Sequence, residues 1–239
     1  MAIKAVLFDL DGTLLPMDLD QFTSEYFRFL IKKLSPLGYE PKKLVNSIWA
    51  GTAAMIRNDG TQSNEEAFWQ KFVEIYGTGA LRDKAVFEEF YNVDFEAARQ
   101  FCGFDPAASE CIETLKESGY RLILATNPIF PEKATALRIG WAGLSPTDFE
   151  QITTYENIGF GKPNPEYYRE VLSRSGLSPD EALMVGNDAV EDLASEKIGL
   201  HCFLLTPCLL HEAGIDLSDT PKGGFPELLE YIDCENRRH

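Results

Sequence analysis

The sequence predicts an α/β fold, a parallel sheet core that carries a small all-helical insertion after its first strand. Four short apolar runs are continuous rather than alternating, which is typical of strands buried on both faces of a parallel sheet. Helical patterns separate the last three runs, and this alternation predicts right-handed βαβ units. A long helical stretch separates the first run from the second. The four runs are residues 3–8, 122–126, 183–185 and 202–205.

The predicted helices between the strands have recognisable ends. Asp105 and Pro106 form the pattern of an N-cap followed by proline in the first turn, and Gly119 can terminate the helix that follows. The predicted helices 165–175 and 189–198 also end at a glycine. These ends fit the crossover helices of a parallel sheet.

The stretch between the first two strands contains only helical patterns, and it is too long for a single crossover. We therefore predict a separate helical bundle at residues 17–101, and a core made of residues 1–16 and 102–239. The composition supports a folded protein, because aromatic residues make up 12% of the 239-residue chain.

Two details are predicted inside the helical bundle. Ser63 and Glu66 have the spacing of a capping box, which predicts a helix start at this point. The preceding apolar stripe predicts a helix that is interrupted near Gly51.

The charge and the hydropathy pattern exclude several classes of protein. The formal net charge is −16, from 22 basic and 38 acidic residues, which argues against binding to nucleic acid or to anionic lipid. No apolar run approaches the roughly 20 residues of a membrane span. The N-terminus lacks the features of a signal peptide, so we expect a cytoplasmic protein without a membrane segment.

The cysteines and histidines show no metal-ligand or disulfide spacing. We predict reduced thiols for the cysteines and no metal role for the histidines. These residues are Cys102, Cys111, Cys202, Cys208, Cys234, His201, His211 and His239.

The sharpest motif follows the first predicted strand. Asp9 and Asp11 lie two positions apart, and Gly12 allows the chain to turn sharply. Ligands of α/β sheets bind at the carboxyl ends of the strands, so these acids lie where chemistry is expected. One carboxylate can act as a nucleophile and the other as a general acid and base. The alternative is a solvated, Asp-rich turn.

Two further motifs supply groups that could bind an anion. Thr126 and Asn127 follow the second predicted strand and offer a hydroxyl and an amide, although Thr-Asn-Pro is also an ordinary turn. Lys162 lies between glycine and proline, where it can hold a charge. The alternative for Lys162 is a solvated surface lysine.

The fourth motif follows the third apolar run and contains Asn187, Asp188 and Asp192. A small number of hard oxygen ligands with room for water and phosphate is typical of a Mg²⁺ site. The alternative is an N-capping aspartate followed by acidic residues in the first helical turn, above all Glu191.

The ordered set of four motifs resembles the haloacid dehalogenase (HAD) superfamily over essentially the whole chain. The resemblance implies a Rossmann-like core and an α-helical cap of subfamily I. It implies that Asp9 is the nucleophile and Asp11 the general acid and base. It further implies that Thr126 and Lys162 take part in catalysis.

The resemblance also implies a phosphate site and a magnesium site. The phosphate would be held by Asp11, Gly12, Thr126, Asn127 and Lys162. The Mg²⁺ ion would be held by the Asp9 carboxylate, the main-chain carbonyl of Asp11 and Asp188. Asn187 stands where many relatives have aspartate, so Asp188 is the first choice as metal ligand. Asp192 is the second choice, either as a ligand through water or as a partner of Lys162, and Asn187 is placed with it at or near the metal.

The implied activity is hydrolysis of a small phosphorylated metabolite through an aspartyl-phosphate intermediate. Asp11 favours phosphoryl transfer, because the dehalogenase branch replaces this second acid. A sugar-phosphate phosphomutase is an alternative on the same core, and a catalytically silent binding module is a third. The sequence carries no signal for the oligomeric state.

The cap would contact the leaving group of the substrate and determine which leaving groups are accepted. Arg57, Trp49 and Trp69 are candidates for this role. The favoured interpretation is that both tryptophans are buried helical core and that Arg57 is solvated.

Overall fold

A six-stranded sheet lies at the centre of the computed structural model, which describes residues 2–211 and 213–237. The strand order is β3-β2-β1-β4-β5-β6 and all neighbouring strands are parallel. The α/β class and the four predicted strands are confirmed. The strands are β1 (Ala5–Phe8), β2 (Arg121–Leu124), β3 (Gln151–Ile152), β4 (Ala182–Gly186), β5 (His201–Leu205) and β6 (Lys222–Gly223).

The two outer strands were not predicted from the sequence. β3 and β6 contain two residues each and are only partly buried. Strands this short at the edge of a sheet leave no continuous apolar run, so the periodicity of the sequence does not reveal them.

Helices fill the chain between β1 and β2, as predicted. This stretch contains α1 (Leu19–Leu34), α2 (Pro41–Ile56), α3 (Asn64–Tyr76) and α4 (Lys84–Glu89). A π-helical turn and a 3₁₀ segment continue to Phe101. An isolated antiparallel bridge between Met17 and Cys102 joins the two ends of the helical stretch.

The capping box before α3 is confirmed, but the predicted interruption of α2 is wrong. Ser63 and Glu66 make both hydrogen bonds of the box. α2 continues through Gly51, where a Cβ atom would lie 2.4 Å from the ring of Phe68. Glycine is therefore needed for the close packing of α3 against α2, and it does not end the helix.

Four more helices cover the sheet: α5 (Pro106–Glu117), α6 (Glu132–Trp141), α7 (Pro165–Ser175) and α8 (Phe225–Arg237). The Asp105 N-cap of α5 and the limits of α7 agree with the sequence prediction. α6 and α8 were not predicted.

The helix predicted at residues 189–198 is a shorter 3₁₀ helix, Asp192–Ile198. It begins later because the Asp188 carboxylate accepts the N–H groups of Val190 and Glu191, at 2.7 and 2.9 Å. These bonds form a capping turn before the helix.

Membrane-spanning helices, disulfides and metal-binding clusters of histidines are all absent from the described residues. None of the described helices is both long and apolar enough to cross a bilayer. All five cysteines are free thiols, in agreement with the prediction. His201 and His211 belong to no metal-binding cluster, while His239 lies outside the described residues.

Candidate active site

The four motifs meet at the carboxyl edge of the sheet. Asp9 directly follows β1, and its N–H donates to Val185 of β4 at 2.9 Å. Thr126 lies two residues after β2, and Asn187 directly follows β4. Because parallel strands all end at the same edge, residues more than 170 positions apart become neighbours.

A buried lysine joins two carboxylates at this edge. The Nζ atom of Lys162 lies 3.0 Å from Asp9 Oδ1 and 2.7 Å from Asp192 Oδ1, and the Lys162 side chain is fully buried. Although burial opposes its charge, Asp192 and Asp9 raise the pKa of Lys162 well above its usual value. The alternative of a solvated surface lysine is therefore wrong.

Asp9 carries the most perturbed carboxylate among the predicted site residues. Burial raises its pKa to about 7, against the opposing effect of Lys162 and with a further increase from Asp192 and Asp11. Perturbed carboxylates at the end of a strand are typical of catalytic sites. The position of Asp9 thus fits a nucleophile that needs added positive charge to remain ionised.

The turn after Asp9 depends on glycine and on an amide from β4. Gly12 has a φ of +82°, and a Cβ atom there would lie 2.3 Å from Asn187 Nδ2. Thr13 donates to Asn187 Oδ1 at 2.9 Å, and a longer contact of 3.4 Å joins it to Asp9 Oδ2. Asn187 therefore holds the turn between Asp9 and Thr13 in place.

Asp11 faces away from this lysine cluster. Its Oδ2 atom accepts a hydrogen bond from Arg138 Nη1, and its Oδ1 atom is buried without a partner. Arg138 lies on α6 and is 0% exposed. The guanidinium carbon stacks 4.3 Å from the ring centre of Phe130.

The sequence did not predict a role for Arg138 at this site. α6 was not predicted, and Arg138 lies outside all four motifs. The only available signal was a basic residue among small and apolar neighbours, on the helix face that contains Ala134 and Ile139. That pattern also fits an arginine whose stem covers apolar surface, so it carries little information.

Thr126 and Asn127 are adjacent in the sequence but have different hydrogen-bond partners. Thr126 is buried, and its main-chain carbonyl accepts bonds from Thr153 Oγ1 at 2.7 Å and the Tyr167 hydroxyl at 2.8 Å. Asn127 Oδ1 accepts the Lys162 N–H at 3.3 Å, and its amide donates to Glu191 Oε1 at 2.9 Å. Asn127 thereby links the lysine loop to the fourth motif.

The three polar side chains of the fourth motif make different contacts. Asn187 is buried and donates to the Cys208 carbonyl at 2.8 Å. Asp188 caps the turn after β4, as the alternative interpretation expected. Asp192 holds Lys162 and accepts the N–H of Asp188 at 2.9 Å.

Glu191 is a half-buried acid that was not assigned a site role from the sequence. Burial raises its pKa to about 8. Together with Asp9 and Asp192, it adds to the excess of carboxylates around Lys162.

A cavity of about 440 Å³ lies between the helical stretch and the segments 129–133 and 155–156, and Asp11 forms part of its wall. Trp49 and Trp69 both line it. The interpretation of Trp49 as buried core is wrong, since it is 51% exposed and packs on Phe27 at a ring distance of 5.5 Å. Trp69 is buried, as expected. Arg57 is exposed at the end of α2 and does not line the cavity.

Comparison with known proteins identifies a family and several relatives. A family model described as haloacid dehalogenase-like hydrolase matches residues 3–197. A glyceraldehyde 3-phosphate phosphatase of Methanothermobacter thermautotrophicus is 26% identical, with 85% of each chain covered. A phosphoglycolate phosphatase of Aquifex aeolicus is 25% identical, with 82% of each chain covered.

A solved structure with the same fold is a 2-haloacid dehalogenase from Pseudomonas syringae pv. tomato. Its TM-score is 0.64 at 20% identity, with coverage of 97% of this chain and 99% of that chain. At this identity the match concerns the fold alone.

Proposed function

The chain belongs to the haloacid dehalogenase-like hydrolases, and from this premise we propose that it is a phosphatase of a small phosphate monoester. The observation that carries the proposal is Lys162, buried between Asp9 and Asp192 at the carboxyl edge of the sheet. Both relatives described above are named as phosphatases, which supports the same class of reaction for this chain.

In the proposed reaction Asp9 forms a covalent intermediate. An oxygen of its carboxylate bonds to phosphorus, the ester P–O bond breaks, and the alcohol leaves with a proton from Asp11. A water molecule then loses a proton to Asp11 and bonds to phosphorus. The bond to Asp9 breaks, so inorganic phosphate is released and both aspartates return to their starting states.

The other predicted residues position the phosphoryl group. Lys162 neutralises charge beside Asp9, while Thr126, Asn127 and Gly12 lie around the same strand ends. Asp11 is paired with Arg138 as a carboxylate, so it has to rotate away and take up a proton from water before it can deliver one to the leaving oxygen. We assign this movement to the Michaelis complex, because catalytic hydrogen bonds often align only when substrate is bound.

The donor set around Asp9 fits Mg²⁺. We assign its protein ligands to the carboxylates of Asp9 and Asp188 and to the main-chain carbonyl of Asp11. The ion would take two carboxylates and one carbonyl from the protein and would fill its remaining positions with water and phosphate. Bound Mg²⁺ would stabilise negative charge on Asp9 and on the phosphoryl oxygens.

We further propose that residues 17–101 form a cap over a core of residues 1–16 and 102–239. The bridge between Met17 and Cys102 lies where the chain enters and leaves the helical stretch. Helices of this stretch also line the cavity that reaches Asp11. A cap in this place would exclude water while the ester is engaged.

The test is a kinetic screen of purified protein with Mg²⁺, using p-nitrophenyl phosphate and a panel of phosphorylated metabolites. Inorganic phosphate should be the main product, EDTA should abolish its release, and Asp9→Asn should be inactive. Asp20→Asn removes an exposed aspartate of α1 and should retain full activity.

Three results would contradict the proposal. They are no phosphate release from any ester, a rearranged ester as the main product, and halide release from 2-chloropropionate without phosphatase activity. The second would indicate a phosphomutase.

A further inference from the structure

The cavity beside Asp11 has a mainly apolar wall that is rich in aromatic rings. Its rings come from both the helical stretch and the core, and they include Phe22, Tyr26, Phe27, Trp49, Trp69 and Phe130. Because the cavity opens onto the proposed acid, it lies where the alcohol part of a phosphate ester would extend. A wall of this kind favours apolar groups, which gain free energy when they leave water.

The charged residues of the wall are mostly acidic. Apart from Asp11 they are Glu65, Glu88, Glu132, Glu156 and one cation, Lys133, among the residues that the structure describes. Lys84 partly neutralises Glu65 at 2.5 Å. Lys133 offsets one of the remaining glutamates, so the wall keeps a net negative charge, which repels a second anionic group on a ligand.

Arg138 does not compensate for this charge. It is fully buried, it pairs with Asp11, and it is not part of the cavity wall. The Phe130 ring, which does line the cavity, stacks on its guanidinium. When Asp11 turns toward the ester, Arg138 stays outside the wall behind the Phe130 ring, so a carboxylate bound in the cavity would lose water without gaining this arginine as a partner.

We propose that the substrate is a monophosphate ester of an apolar, preferably aromatic, alcohol that carries no second anionic group. This inference rests on the proposed phosphatase function and names the leaving group that the site accepts. It separates this chain from the phosphoglycolate phosphatase that it resembles, because phosphoglycolate carries a carboxylate next to its ester.

The experiment compares two esters that differ only in a remote charge. They are 2-phenylethyl phosphate and the same compound with a carboxylate at the para position of the ring. Their alcohols have similar reactivity, so a difference in kcat/KM reports on the cavity. We expect kcat/KM to be at least tenfold higher for the uncharged ester, which should also exceed phosphoglycolate by at least tenfold.

A charge reversal in the wall provides the matched variant. Glu88 is exposed and lines the cavity, so Glu88→Lys should raise kcat/KM for the carboxylated ester several-fold. The ratio of kcat/KM for the uncharged ester to kcat/KM for the carboxylated ester should therefore fall. Glu113→Lys makes the same change on an exposed face of α5 outside the cavity wall, and the ratio should stay as in wild type.

The outcomes separate this inference from the proposed function. Hydrolysis that depends on Asp9 but prefers phosphoglycolate or the carboxylated ester would overturn the inference alone. An unchanged ratio in Glu88→Lys would also overturn it. Absence of hydrolysis for every ester, including p-nitrophenyl phosphate, would overturn the proposed function as well.

Discussion

Arg138 on α6 forms an ion pair with Asp11, which lies 127 positions earlier in the chain. The arginine side chain is 1% exposed and the aspartate side chain 20% exposed, so only one partner reaches solvent. Arg138 also donates to the Ala134 carbonyl and to Thr135 Oγ1, both at 3.3 Å. The loop after β1 is therefore tied to α6 by a residue outside the four motifs.

Replacement of this arginine should be costly for folding. Arg138→Met leaves Asp11 without its partner, and we expect the free energy of unfolding to fall by about 3 kcal/mol, near the lower limit for a broken buried pair because Asp11 keeps some solvent. Urea denaturation of wild type, Arg138→Met, Asp11→Asn and the double variant measures the coupling. We expect at least about 1 kcal/mol, and additive losses would contradict the ion pair.

Lys162 should be the most sensitive residue of the site for both stability and activity. Lys162→Met leaves Asp9 and Asp192 buried without their shared cation, so unfolding should become easier by about 3 kcal/mol or more. Activity should also be lost.

A second substitution separates the two effects of the lysine change. Adding Asp192→Asn to Lys162→Met removes one unpaired charge and should restore part of the stability, but no phosphatase activity. Thermal unfolding and phosphate release measure the two properties. A double variant less stable than Lys162→Met would argue against charge imbalance as the cause.

Gly186 should not tolerate even one added methyl group. A Cβ atom there would lie 1.9 Å from Asp192 Oδ2, and this carboxylate is fixed by Lys162 and the Asp188 N–H. We expect Gly186→Ala to lower both stability, by about 1–3 kcal/mol, and kcat.

Gly140→Ala is the matched control for this substitution. A Cβ atom at this exposed position of α6 meets nothing within 4 Å apart from its chain neighbours and the backbone of its own helix, so a gain of about 0.5–1 kcal/mol is expected. Chemical denaturation measures both variants. Equal effects at the two glycines would mean that the contact with Asp192 does not matter.

Thiol reactivity should follow burial. Burial raises the pKa of Cys111 to about 12 and also raises that of Cys202, so both should react with a disulfide reagent at pH 8 only after unfolding. Cys234 is exposed and should react in the native protein, and Cys234→Ser should remove this reaction. Rapid native labelling of Cys111 would contradict its placement in the core.

Much of the fold could be predicted because its signals are local. The central strands are continuous apolar runs, and the helices α3, α5 and α7 begin at recognisable caps. β3 and β6 could not be predicted, because two-residue edge strands have no periodicity. Gly51 was misinterpreted because its local helix penalty was visible in the sequence, whereas its contact with Phe68 was not.

The sequence by itself determined the sheet class, the helical insertion and the four motifs at the strand ends, since short-range chemistry encodes each of them. The tertiary structure alone decided the partners of those motifs. It brought Lys162 between Asp9 and Asp192 and placed Arg138 on Asp11. It also placed Trp49 in a cavity wall. These relationships depend on how distant elements pack, and the spacing of residues along one chain does not record that packing.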